Sequence, residues 1–121
     1  MNRKRTILVV EDDYVSYKLI SRIIGKLGHK VIWAQNGLEA VEICKNNSAI
    51  DLVLMDINMP VMDGLEATCI IKQLRKELPV VIQTAFLDNK EKSLESGCDE
   101  FIYKPLEREM VSELINKYTK G

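Results

Sequence analysis

Apolar positions along this chain come in short blocks separated by longer stretches of mixed character. Five blocks read as strands, near 6–10, 30–34, 51–55, 80–84 and 100–103. Ile7-Leu8-Val9-Val10, Leu52-Val53-Leu54-Met55 and Val80-Val81-Ile82 are continuous apolar runs, as expected of central strands covered on both faces. Lys30-Val31-Ile32-Trp33-Ala34 and Phe101-Ile102-Tyr103 are less uniform and suit the edges of a sheet.

Helices are predicted between and after these blocks. The first, about 14–27, places Val15, Leu19, Ile20, Ile23, Ile24 and Leu27 at helical spacing and stops at Gly28. The second, about 37–47, turns Leu38, Val41 and Cys44 inward. The third, about 64–77, has Leu65, Ala67, Cys69, Ile70, Ile71 and Leu74 to bury, and Pro79 then launches the next strand. The fourth, about 88–96, is polar, with Leu94 its one large apolar residue, so slight burial and an easily shifted position are expected. The last, about 107–119, offers Met110, Val111, Leu114, Ile115 and Tyr118. Strands alternating with helices predict an α/β domain, a parallel sheet with helices on both faces.

Most of the apolar blocks run into polar groups. Glu11-Asp12-Asp13 follow the first, Asp56 the third, Thr84-Ala85 the fourth and Lys104-Pro105 the fifth. In open parallel sheets the functional crevice lies beyond the carboxyl ends of the strands, so Glu11, Asp12, Asp56, Thr84 and Lys104 are expected to meet there. Each alone is an ordinary turn residue; five of them after four strands form a pattern. Two carboxylates about 4 Å apart repel by roughly 4 kcal/mol at an effective dielectric near 20, so the cluster needs a cation or an ammonium. An all-oxygen donor set with no His or Cys favours Mg²⁺ over zinc. A carboxylate beside such a cation can attack phosphorus and form an acyl phosphate.

Size and charge narrow the class. At 121 residues the chain is one domain, 1–121, long enough for a core without staples. Its net charge of -1 argues against nucleic-acid binding through bulk charge. The short basic start Asn2-Arg3-Lys4-Arg5 reads as a solvated leader. A first apolar run of five residues leading into acids predicts no secretory signal, and no stretch reaches the roughly 20 apolar residues of a membrane span. Cys44, Cys69 and Cys98 lack metal spacing and read as small buried residues in a reduced, cytoplasmic setting.

The segment Asp56-Ile57-Asn58-Met59-Pro60-Val61-Met62-Asp63-Gly64 resembles the receiver domain of two-component response regulators. Val9-Val10-Glu11-Asp12, Thr84-Ala85 and Lys104-Pro105 extend the resemblance over essentially the whole chain, in the right order and spacing. It implies a flavodoxin-like, doubly wound five-stranded parallel sheet of order 2-1-3-4-5 with five helices. Asp56 would be the phosphoacceptor. Glu11 and Asp12 would hold Mg²⁺, with the backbone carbonyl of Asn58 as a further ligand. Thr84 and Lys104 would contact the phosphoryl group, and Phe101 would be the aromatic switch, turning inward as the hydroxyl moves, in a site where many relatives carry Tyr. Lys104-Pro105 would be a cis peptide bond. The resemblance further implies a histidine kinase or histidine-phosphotransfer domain as partner, and a switch that assists its own phosphorylation and dephosphorylation without being a turnover enzyme.

Other residues have plainer expectations. Asp13 reads as a helix N-cap or outer acid. His29, in the turn before the second strand, is not expected as a phosphodonor. Trp33 reads as edge packing, and Asn36-Gly37 as a turn into the second helix. Phe86 and Leu87, just past Thr84, read as partly exposed, and Phe86, two residues past Thr84, would screen an acyl phosphate from water and slow its hydrolysis.

Two other functions would use part of this residue set. A Mg²⁺-dependent phosphohydrolase would need a general acid near the nucleophile and a substrate cap; Asn58 is not an acid and no cap insertion is present. An inert interaction domain would not need the full set of site residues. With no output domain after residue 121, the expectation is a stand-alone receiver or one excised from a larger protein, with a lean towards hybrid sensor kinases. Output would run through protein contacts, to a downstream target or an attached domain, at the fourth helix, fifth strand and fifth helix. The phosphodonor would dock near Tyr14, Val15, Tyr17 and Lys18. Neither nucleic acid nor membrane is expected to be touched by the domain, which would be a monomer or weak dimer.

Overall fold

The computed structural model describes residues 3–57, 59, 62–85 and 90–119. Its strands are β1 (Thr6–Val10), β2 (Lys30–Ala34), β3 (Leu52–Asp56), β4 (Val80–Thr84) and β5 (Glu100–Tyr103). Its helices are α1 (Tyr14–Lys26), α2 (Gly37–Asn46), α3 (Gly64–Leu74), α4 (Lys90–Glu95) and α5 (Arg108–Tyr118). All strand pairs are parallel, in the order β2-β1-β3-β4-β5. The doubly wound α/β architecture and its edge strands are as expected; β3 lies one residue later than its apolar run suggests, so Asp56 is itself a strand residue paired in register with Gln83.

Strand alternation divides the core. Leu8, Val10, Val53, Met55, Val80 and Ile82 face one side, where they meet Ala40, Val41 and Cys44 of α2 and Ala67 and Ile71 of α3. Ile7, Val9, Leu52, Leu54 and Val81 face the other, against Ile20 and Ile24 of α1 and Val111, Leu114 and Ile115 of α5. Each such side chain removed from water contributes about 1.5–3 kcal/mol. β1, β3 and β4 are almost wholly buried along their length, which holds the residues at their carboxyl ends in fixed positions.

Three helices start on side-chain caps in the loops after the strands they follow. Asp13 accepts from the N–H of Ser16 (3.0 Å), Asn36 from that of Glu39 (2.9 Å) and Asp63 from that of Glu66 (2.9 Å). Each is worth about 1 kcal/mol and fixes where the βα loop ends. Gly64 is required by close approach: a Cβ there would lie 2.1 Å from the carbonyl oxygen of Asp56. Gly28, at φ +89°, makes the left-handed turn after α1.

Several expectations need correction. Val15 and Leu19 are 66% and 60% exposed. α1 buries the Ile20–Ile24 row, and Val15 and Leu19 lie on a row about 100° or more away around the helix. Leu38, Leu74 and Leu94 are exposed as well, as is Cys69, while Cys98 is half-buried; only Cys44 is the fully buried thiol that was expected. The fourth helix is slight, as anticipated, but the residue it buries is Ser93. The basic start is not all solvated: Arg5 is buried, and its N–H donates to Nδ1 of His29 at 2.9 Å. α3 ends at Leu74, three residues early, because Arg75 leaves the helix and its guanidinium reaches the carbonyl oxygens of Cys44, Asn47, Ser48 and Ile50. Residues 88 and 89 of the expected fourth helix lie outside the described residues.

Candidate functional site

The parallel strands end level with one another, with Val10 beside both Ala34 and Met55, Asp56 beside Gln83 and Thr84 beside Tyr103. That register gathers the expected polar residues at one edge. Carboxylate oxygens of Glu11, Asp12 and Asp56 all lie within 4.8 Å of one another. Lys104 spans the cluster, its Nζ 3.1 Å from Oε2 of Glu11 and 3.4 Å from Oδ2 of Asp56. Its own N–H donates to the carbonyl oxygen of Thr84 at 2.9 Å, tying the β5 end to the β4 end. Thr84 is fully buried. The Lys104-Pro105 peptide is cis.

Burial sets the electrostatics. Glu11 is 1% exposed and Asp56 5%, while Asp12 is open to solvent. Loss of water, and then the charge of Asp56, push the Glu11 carboxyl up to about 7 against the pull of Lys104. Burial works to lower the Lys104 ammonium, but the carboxylates of Asp56 and Glu11 outweigh it and hold the group above the ordinary lysine value. One ammonium thus neutralises three carboxylates incompletely. The donors are all hard oxygens, two of them dry and one wet, with no His or Cys among them. This set fits a small hard divalent cation that keeps part of its water shell, and such an ion would hold Glu11 in its charged form.

The other expected residues fall into place unequally. Asp13 is the α1 cap, and its N–H also donates to Oε1 of Glu11 at 3.3 Å. Phe101 is half-buried on β5, packed against the core that includes Ile82 and edge-on to Tyr103, with ring centroids 5.6 Å apart. Asn58, and with it the expected carbonyl ligand, lies outside the described residues, as do Phe86 and Leu87. His29 is engaged with Arg5 at the opposite end of β2 from the cluster.

Trp33 has more than an edge-packing role. Its ring stacks on Tyr17, with centroids 4.3 Å apart, and its Nε1–H donates to the carbonyl oxygen of Glu11 at 2.8 Å. The Glu11 N–H in turn donates to the Ala34 carbonyl oxygen at 3.0 Å, so β2 holds the Glu11 backbone from both sides. The sequence signal for this is a tryptophan one residue from the end of an edge strand, and it becomes legible only once β2 is known to lie beside β1. Gly37 similarly ties two βα loops, its N–H donating to the Met62 carbonyl oxygen at 3.1 Å, where a Cβ would lie 2.5 Å from that oxygen.

Comparisons with known proteins agree with this geometry. The family model described as the response regulator receiver domain matches residues 7–116. The chain is 38% identical over 120 residues to hybrid signal transduction histidine kinase I of Dictyostelium discoideum, covering 91% of this chain and 7% of that protein. It is 37% identical to the sensor histidine kinase RcsC of Salmonella typhimurium, covering 98% of this chain and 13% of that protein. The chain therefore spans only a small part of the curated relatives it matches. Among solved structures, the receiver domain of a Pseudomonas aeruginosa sensor histidine kinase, with a magnesium ion coordinated in its active-site cleft, superposes with a TM-score of 0.91 at 27% identity, over 98% of this chain and all of that one. The Saccharomyces cerevisiae complex of the histidine phosphotransfer protein Ypd1 with the receiver domain of Ssk1 gives a TM-score of 0.88 at 27% identity, over 98% of this chain and 91% of that chain.

Proposed function

This chain belongs to the response regulator receiver domain family, and from that premise we propose that Asp56 is its phosphoacceptor, charged by a partner's phosphohistidine. The chain is a receiver of two-component signalling, a switch that accepts a phosphoryl group. The assignment to Asp56 is supported above all by one observation: its carboxylate clusters with those of Glu11 and Asp12 and lies 3.4 Å from Lys104 Nζ, which also reaches Glu11.

In the proposed step an Asp56 carboxylate oxygen forms a bond to phosphorus as the bond from phosphorus to the donor imidazole nitrogen breaks, and that nitrogen leaves with its electron pair. Glu11, Asp12 and Asp56, with the carbonyl of Asn58, would hold Mg²⁺, which supplies charge neutralisation to the phosphoryl oxygens. Lys104 leaves its carboxylate partners for a phosphoryl oxygen, and the Thr84 hydroxyl donates to another. Movement of Thr84 opens room beside β4 for Phe101, whose ring is already half-buried there. The surface of α4, β5 and α5 re-settles and is read by a downstream protein or an attached domain, a two-state shift biased by local charge.

The exposed Tyr14 and Val15, with Tyr17 and Lys18 on the same first turns of α1 just after Glu11 and Asp12 in the chain, are the surface proposed for the phosphodonor, a histidine kinase or phosphotransfer protein. Autophosphorylation from small donors, self-dephosphorylation slowed by Phe86, a monomeric or weakly dimeric state and cytoplasmic placement belong to the same proposal. Among the described residues no helix is long and apolar enough to cross a membrane.

Beryllofluoride with Mg²⁺ tests the reading. One stable adduct per chain is expected, lost in Asp56→Asn, with shifted Thr84 and Phe101 resonances. Continuous turnover of a phosphomonoester would point to a hydrolase, and no adduct to an inert domain.

A further inference from the structure

At the amino end of the sheet, between the starts of β1 and β3 and the end of α5, lies an open cleft of about 260 Å³. Three arginines and two acids are among its lining residues. Arg3 lies 3.6 Å from Asp51, and Arg75 lies 3.6 Å from Glu77. Arg5 is the cation left over. It is 7% exposed, and among the described residues its guanidinium makes no hydrogen bond and no ion pair. Only its backbone is engaged, the N–H with Nδ1 of His29 and the carbonyl oxygen with the N–H of Lys30. Its nitrogens still have accessible surface, since the sealed and unpaired side-chain polar atoms among the described residues belong to Thr68, Gln83 and Ser93. A guanidinium carries five N–H donors and keeps its charge, so one that is mostly enclosed and unpaired is costly.

We propose that this cleft binds a small monocarboxylate, its two oxygens paired to the fork of Arg5. The charges around the cleft select that class. The lining has one cation more than it has anions, so a single negative charge balances it. A doubly charged oxyanion such as sulfate would meet repulsion from Asp51 and Glu77. A carboxylate presents two oxygens in one plane, which a guanidinium meets with two parallel N–H bonds. A neutral amide brings one acceptor and no charge. Ser48, exposed in the same lining, offers a further hydroxyl donor. His29 reports the charge of Arg5: burial first, and then that guanidinium, depress its imidazole against a smaller opposing pull from Asp51. A bound carboxylate offsets the Arg5 contribution, so the His29 titration midpoint rises on binding.

The test titrates sodium acetate into the metal-free protein at constant ionic strength, with chloride making up the difference. It follows the Arg5 Nε–H resonance and the imidazole resonances of His29, the one histidine of the chain. It needs no phosphodonor and no Mg²⁺, so its outcome is independent of whether Asp56 accepts phosphorus. Acetate is expected to saturate in the millimolar range, shifting both sets of resonances and raising the His29 midpoint, and to bind at least about tenfold more tightly than sulfate or acetamide. Arg5→Met, whose unbranched side chain keeps the packing of the arginine stem, is expected to weaken acetate at least about tenfold and to raise the His29 midpoint with no ligand present. Arg3→Gln, at a residue largely open to solvent, should weaken acetate by no more than about threefold. Equal acetate affinity in Arg5→Met, sulfate or acetamide binding as well as acetate does, shifts confined to resonances around Lys104, or no saturation below about 100 mM acetate would each overturn the proposal. The sulfate and acetamide arms use the wild type, so they decide the matter even where Arg5→Met fails to fold.

Discussion

The two ends of the sheet handle charge in opposite ways. At the amino ends of the strands, each polar group in a dense network meets a complement. Asp51 accepts from the Thr6 N–H at 2.8 Å, and Asp99 from the Val80 N–H at 2.8 Å. Lys72 Nζ donates to Asp99 and to the carbonyl oxygens of Lys76 and Leu78, each at 2.9 Å. Arg75 closes the α2–β3 connection through four carbonyl oxygens. At the carboxyl ends, three carboxylates crowd together, two of them on the one ammonium of Lys104, and Glu11 is driven up to about 7. One end is arranged for stability. The other holds unbalanced charge that a cation and a phosphoryl group can relieve, and that imbalance is what makes it responsive.

Arg75→Ala sharpens the contrast most. Loss of the guanidinium leaves three part-buried carbonyls without that donor, and urea unfolding is expected to show a loss of about 2–3 kcal/mol. Beryllofluoride uptake should persist in the fraction that stays folded. A variant of normal stability would place the strength of that end elsewhere.

The pH response separates the two ends next. The folded protein holds the Glu11 proton that the unfolded chain releases, so metal-free stability from this group is full below about 4.5 and is lost as pH rises through about 7. Thermal unfolding of the metal-free protein is expected to show that loss, with Glu11→Gln flattening the profile across the same window. Mg²⁺ affinity should run the opposite way, falling as pH drops below about 7, because the ion must displace the Glu11 proton. A metal-free profile identical in wild type and Glu11→Gln would mean that the carboxyl titrates normally.

Trp33→Phe should act least on the fold. It keeps the stacked ring and removes one hydrogen bond to the Glu11 carbonyl oxygen, a loss of about 1 kcal/mol, with Mg²⁺ titration showing weaker binding as Glu11 loosens. Unchanged Mg²⁺ affinity would reduce Trp33 to packing.

These two ends were also unequally legible in the sequence. The responsive end was legible because its residues directly follow strand-like apolar blocks, and neighbouring parallel strands bring their carboxyl ends together; Glu11, Asp12, Asp56, Thr84 and Lys104 all follow strands whose ends meet at one edge. The stable end was not, because Asp51, Asp99, Lys72 and Arg75 sit in loops and at a helix end with no periodic signal; Asp51 and Asp99 accept from backbone N–H groups 45 and 19 residues away, Arg75 donates to carbonyls of another connection, and Lys72 joins its own connection to Asp99. Helix faces were read too broadly for a related reason. Val15 and Leu19 satisfy helical spacing with each other as well as Ile20 and Ile24 do, and only the position of the sheet decides which row is buried.

The most direct measurement is the unfolding free energy of the metal-free Asp56→Asn variant, above about pH 7, set against that of the wild type. Neutralising Asp56 removes one of the crowded charges while keeping its shape, so stability is expected to rise by about 1 kcal/mol, net of the weakened pairing with Lys104. A fall of that size or more would mean that Asp56 is a stabilising partner of Lys104, and that the carboxyl end of the sheet is balanced in the same way as the amino end.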